Sequence, residues 1–273
     1  MSDREYIISL LQSNAPFFIG RIAGVELQIA YQYQHRYPDV HLIQELENNA
    51  GIYVKDRTSL LLYVDMLVSS YDHCTAIAEW SGSILDTLQQ GQEFIQKRTP
   101  SIPKIQAPSL EPYYTDCNWM PALYGKRILI IHPFVHTIGK QLSHLSELFP
   151  GKAWFPSCKF IYCAPPVTLA GNHGNIDWKI RYDECIEMID RITDYDIALV
   201  AAGGYGMLIS DFLFTKKKKQ VMYIGGALQL FFGIIGKRWF ENKEVMALVN
   251  DSWVRPNKER VANCTRVEKG CYW

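Results

Sequence analysis

Two strand–glycine–helix units stand in tandem between Asp194 and Trp239, and they restrict the fold more than any other part of the chain. Ile197 to Ala201 reads as a buried strand, and Gly203, Gly204 and Gly206 turn it into an amphipathic helix. A basic turn, Lys216 to Lys219, leads to a second apolar strand, Val221 to Ile224, and the pair Gly225 and Gly226 opens a second helix. At the carboxyl edge of a parallel sheet, helix N-termini offer free N–H groups and a positive dipole end. Glycine there lets a phosphate come close to the backbone. The layout is that of a ligand-binding α/β protein.

The remaining periodicity agrees. Asp3 to Gln12 predicts a short helix, Ala15 to Ile19 a strand stopping at Gly20 and Arg21, and Ala23 to Tyr37 a helix ended by Pro38. Asn48 to Gly51 is a turn, Ser59 to Tyr71 a helix, and Cys74 to Ala78 a strand leading to Glu79, Trp80, Ser81 and Gly82. In the second half, Arg127 to Ile131 and Phe160 to Cys163 read as strands, Thr137 to Phe149 and Asp177 to Ile192 as helices. Such alternation predicts an α/β fold, a Rossmann-like, doubly wound, mostly parallel sheet with helices on both faces. Residues 1–273 form one domain on this reading, with two lobes, about 1–95 and 122–250, as the alternative. Between them, prolines 100, 103, 108, 112 and 121 and the run Glu111-Pro112-Tyr113-Tyr114 suggest an ordered aromatic loop, either a surface connection or a cover over the site.

Composition narrows the partners. Lysine and arginine (28) balance aspartate and glutamate (28), and this argues against nucleic acid, whose phosphates demand a basic surface. The seven cysteines are scattered with no CxxC pair, so they read as reduced thiols in a cytoplasmic setting. No apolar run is long enough to span a bilayer, and the first residues lack a signal peptide's apolar core. The chain contains no P-loop, no G-x-S-x-G and no HExxH, and neither early nor late glycines have dinucleotide spacing. His173 has no second ligand at helical spacing and reads as a loop residue.

One cluster remains: Gly20-Arg21-Ile22-Ala23-Gly24-Val25-Glu26, where a strand ends and a carboxylate enters the first turn of a helix. Together with Asn48 to Tyr53 and the late Ala201-Ala202-Gly203-Gly204-Tyr205-Gly206 block, it resembles the GT-D-type glycosyltransferases, Rossmann-like enzymes that use nucleotide sugars. The resemblance covers residues 16–240 in motif order. In that family an early R-x-G-D-x-E segment precedes a helix. Here the metal-binding D-x-E maps onto Gly24-Val25-Glu26, so the aspartate is missing.

The resemblance implies a nucleoside-diphosphate sugar as donor, a glycan hydroxyl as acceptor, and transfer of a hexosyl or deoxyhexosyl group. Gly203, Gly204, Tyr205, Gly206, Gly225, Gly226 and Gln229 would bind the donor, Lys237 and Arg238 its diphosphate, and Asn49 and His132 the acceptor or a sugar. A single carboxylate holds a divalent ion weakly, so a metal-independent reaction is expected, with protein cations such as Arg21 offsetting the diphosphate. Glu26 is then free to act as general base. Two alternatives stay open: another nucleotide-dependent Rossmann transferase, such as an S-adenosylmethionine methyltransferase, and a nucleotide-sugar binding module without catalysis.

Overall fold

The computed structural model describes residues 1–35, 38–81, 86–114 and 119–273; the expected helix end at Tyr37, the turn at Gly82 and the thiol of Cys117 lie outside them. The described strands are β1 (Phe18–Arg21), β2 (Ala76–Glu79), β3 (Lys104–Gln106), β4 (Arg127–Ile131), β5 (Lys159–Cys163), β6 (Ile197–Val200) and β7 (Gln220–Tyr223). They make one seven-stranded sheet in the order β3-β2-β1-β7-β6-β4-β5, parallel at every pairing. The fold is the α/β, Rossmann-like one expected. Strands from the two halves of the chain meet where Phe18 pairs with Val221 and Ile19 with Met222.

Alternation along each strand divides the apolar residues between two cores, which is why the strands read as unbroken apolar runs. Ile128, Ile130, Ile197, Leu199 and Met222 enter one core; Leu129, Ile131, Ala198, Val200 and Val221 enter the other. Helices α1 (Asp3–Gln12), α6 (Val135–Gln141) and α7 (Leu145–Leu148) cover the first face through Ile7, Leu11, Ile138 and Leu148. On the second lie α2 (Val25–His35), α3 (Val40–Glu45), α4 (Arg57–Asp72), α5 (Asp86–Arg98), α8 (Trp178–Asp190) and α9 (Gly206–Thr215), anchored by residues such as Leu27, Leu60, Trp178 and Leu213.

Three segments depart from the periodicity. The helix expected over Thr137 to Phe149 is broken between α6 and α7 by a 3-10 turn at Leu142–His144, where the Ser143 hydroxyl donates back to the Lys140 carbonyl at 3.0 Å. The turn at Asn48 to Gly51 is a π-helical turn, Leu46–Ala50, that prolongs α3 and closes at Gly51 in the left-handed region. Gly225–Phe232 is a 3-10 helix rather than an α-helix, with Ala227 to Phe232 all buried and Gly233 left-handed at its end. After it, α10 (Lys243–Met246) and a tail return to the body through a parallel bridge between Ile234 and Val254. The tail docks on the body: Trp273 is buried, and its indole donates to the Glu259 carbonyl at 3.0 Å.

No helix among the described residues is long and apolar enough to cross a membrane.

Candidate functional site

The chain leaves β1 and β7, adjacent strands, toward opposite faces of the sheet. Helix α2 packs into the second core, and the 3-10 helix after Gly225 packs into the first. Neighbouring connections that diverge open a crevice at the carboxyl edge, the place where ligands bind in open α/β sheets. Here the crevice is a cavity of about 620 Å³ that reaches from Trp80 and Arg21 across Gly225 and Gly203 to His132. Arg21 ends β1 and His132 follows β4, three strands away, so at ~4.8 Å per strand the opening is roughly 14 Å across.

Arg21 is buried and its charge is already compensated. Nη2 donates to Glu111 Oε1 at 3.2 Å, Nη1 donates to the Ile224 carbonyl, and the guanidinium lies 4.6 Å over Trp80. The Tyr113 hydroxyl donates to the second oxygen of Glu111. This network ties the ends of β1 and β7 to the aromatic loop. Arg21, expected among the cations that offset a leaving diphosphate, pairs with Glu111, a residue that sequence reasoning did not single out. The signal was the Glu111-Pro112-Tyr113-Tyr114 run itself, and Glu111 and Tyr114 both line the cavity.

Glu26 lies in the first turn of α2, buried yet on the cavity wall. Loss of water raises its carboxyl above the ordinary glutamate range; its own backbone N–H opposes the shift and the nearby Glu268 adds to it. No cation pairs with it among the described residues. The phenols of Tyr63, Tyr71, Tyr223 and Tyr272 lie within its electrostatic reach.

His132 lines the opposite end. Its Nδ1 accepts the Phe134 N–H at 2.9 Å, so the ring proton of the neutral form sits on Nε2. Burial alone lowers its pKa to about 3. The imidazole is therefore an uncharged donor. Asn49, half-buried on the π-helical turn, also reaches the cavity.

The late glycines separate into two groups. Gly203 and Gly225 line the cavity with φ of +50° and +72°, a backbone that glycine adopts freely. Gly24 and Gly226 line it too. Gly204, Tyr205 and Gly206, expected on the donor, lie beneath the surface. A Cβ at Gly204 would stand 3.0 Å from the Tyr63 hydroxyl, one at Gly206 would meet the Tyr223 ring, and Tyr205 is in the second core. These glycines let α9 approach its neighbours, a packing demand that resembles a phosphate-binding signal in sequence. Gln229 borders the cavity, but its amide donates to the Ile234 and Tyr272 carbonyls at 3.0 and 3.3 Å and so fastens the tail. Lys237 is exposed and not on the cavity wall, whereas Arg238 is on it.

Among the described residues no group of three or more His, Cys, Asp or Glu side chains is placed to hold a metal ion. A side chain at Gly24, where the resembling family has aspartate, would meet open space within 4 Å. Glu26 by itself supplies fewer oxygens than the several ligands a hard divalent cation takes. His173, outside the cavity, receives or donates at 2.9 Å with Glu47 and stacks on Tyr53, as befits a loop residue.

No protein-family model matches the chain, and neither the curated proteins nor the solved structures contain a match.

Proposed function

We propose that the protein is a glycosyltransferase that moves a sugar from a nucleoside diphosphate to a glycan hydroxyl in the cavity at the carboxyl edge of β1 and β7, without a metal. The observation that carries this reading is Glu26. It is a buried carboxyl on the cavity wall with no cationic partner and a raised affinity for protons. Such a group is suited to take the acceptor hydroxyl's proton as that oxygen attacks the anomeric carbon and the sugar–phosphate bond breaks.

The surroundings support it. Arg238 and the backbone turns at Gly203 and Gly225 offer positive charge and N–H groups to a departing diphosphate. Trp80, Tyr114, Trp239 and Tyr272 present aromatic surface along the cavity. Asn49 and His132 supply hydrogen bonds to hydroxyl or phosphate oxygens.

The test is release of free nucleoside diphosphate from a panel of nucleotide sugars by the purified protein, with and without chelator. Turnover that persists in chelator and is lost in Glu26→Gln is expected. No turnover of any donor by the wild type, or loss of wild-type turnover on chelation, defeats the proposal.

A further inference from the structure

The C-terminal tail forms one side of the cavity, and it brings a carboxylate to the cation there. Arg238 Nη2 donates to Glu268 Oε2, and the guanidinium lies 4.6 Å over the Tyr272 ring. The same nitrogen reaches Cys271 Sγ at 3.4 Å. Nε and Nη1 of Arg238 have no hydrogen-bond partner among the described residues. The tail around the pair is held from behind: the Arg238 and Lys237 N–H groups donate to the carbonyls of Cys271 and Trp273 at 2.8 and 3.3 Å. Glu268 itself stands in the left-handed region at φ 44°, and Lys269 follows at 59°, an unfavourable backbone for residues with a Cβ.

Arg21 and Arg238 differ in what binds them. The Arg21 partner, Glu111, is buried and locked by Tyr113, whereas Glu268 is half-exposed, with a side-chain accessibility of 52%. Removing Glu111 would strand a buried charge; Glu268 can swing into water at little cost. The cation that an anionic ligand can claim is therefore Arg238, and Glu268 stands in its way.

We propose that Glu268 is an affinity-setting residue of this cavity: its carboxylate occupies Arg238 in the free protein and is displaced by the diphosphate of a bound ligand. The exchange swaps one carboxylate on the guanidinium for phosphoryl oxygens, which Arg binds in the same fork geometry. The identity of the ligand as a diphosphate rests on the sugar-transfer reading, but the exchange itself needs only a phosphate anion.

The probe is inorganic pyrophosphate, titrated calorimetrically against the full chain at low and at physiological salt. Glu268→Gln keeps the shape of the side chain and removes its charge. It should bind pyrophosphate about three- to tenfold more tightly than the wild type, as expected for releasing an exposed ion pair and one repulsive charge. In an Arg238→Gln background the same Glu268→Gln change should have less than half of that effect, with melting curves confirming that both proteins are folded. Unchanged or weaker binding by Glu268→Gln overturns the proposal. So does an equal gain with and without Arg238, since that marks a general charge effect. Tighter pyrophosphate binding with no turnover of any nucleotide sugar would leave the exchange standing and defeat only the transferase reading.

Discussion

The ring of Tyr272 rests directly against Gly226: a Cβ built on Gly226 would lie 2.5 Å from the ring. Gly236 meets the same residue from another side, with its Cβ position 2.6 Å from the Tyr272 carbonyl oxygen. Two glycines thus make the seat for the C-terminal tail. The tail in turn supplies Glu268, Tyr272 and Trp273 to the cavity.

Gly226→Ala is expected to push Tyr272 out of its seat and cost about 1–3 kcal/mol, the usual range for overpacking a close contact. Thermal denaturation measures the loss, and limited proteolysis should show the tail cut sooner than in the wild type. An unchanged melting temperature and an uncut tail would mean that the ring moves aside freely.

Gly204 carries a different prediction. Its Cβ position is occupied by Ile52 and approached by the Tyr63 hydroxyl, itself a donor to the Gly204 carbonyl at 2.9 Å. Gly204→Val should therefore lower stability by more than 3 kcal/mol, or prevent folding, and the loss should appear in melting curves recorded without any ligand. A stable variant with impaired ligand binding alone would return Gly204 to the binding surface.

Glu26→Gln separates catalysis from stability. As general base, Glu26 should be worth about 10² to 10⁴ in turnover, with donor affinity little changed. Because burial raises its pKa in the folded state, the native protein holds this proton more firmly than the unfolded chain. Stability then falls as pH rises from the unfolded pKa of about 4.5 through the folded value, and stays lower above it. The glutamine variant escapes that penalty. It should be the more stable protein at neutral pH, with the gap closing in acid, and a pH series of melting curves decides the sign.

His132 has the opposite linkage. Its folded pKa of about 3 lies far below the ordinary 6.5, so the unfolded chain takes up a proton that the native state refuses. Stability is complete above pH 6.5 and is lost as pH falls toward 3. Relative to a non-titrating His132→Gln variant, the wild type should lose about 2 kcal/mol between pH 8 and pH 5. Gln also keeps a donor near the Nε2 position, whereas Asn places its amide nearer Nδ1. If Nε2–H contacts the ligand, affinity should survive better in His132→Gln than in His132→Asn. Equal losses would assign the histidine to packing.

The sheet was legible because both of its faces are buried. Ile128 to Ile131 and Ile197 to Val200 are apolar at every position, and alternation sends successive residues to different cores. The short edge strand β3 was not, since three residues among prolines carry no usable period. Glu26, Asn49, His132, Gly203, Gly225 and Arg238 line one cavity, at the edge where the ends of the parallel strands meet.

What the chain's order of residues determined is the α/β class, the parallel direction of its strands and the edge on which a site can form: these follow from apolar runs and glycine turns that act over a few residues. Tertiary structure alone decided which groups are available there. Arg21 and Arg238 both precede or follow glycine turns, yet one is locked by Glu111, 90 residues away, and the other is shared with an exposed carboxylate 30 residues on. Gly203 and Gly204 are neighbours, but one faces the cavity and the other Ile52. Charge compensation and close packing depend on partners distant in sequence, so no local pattern contains them.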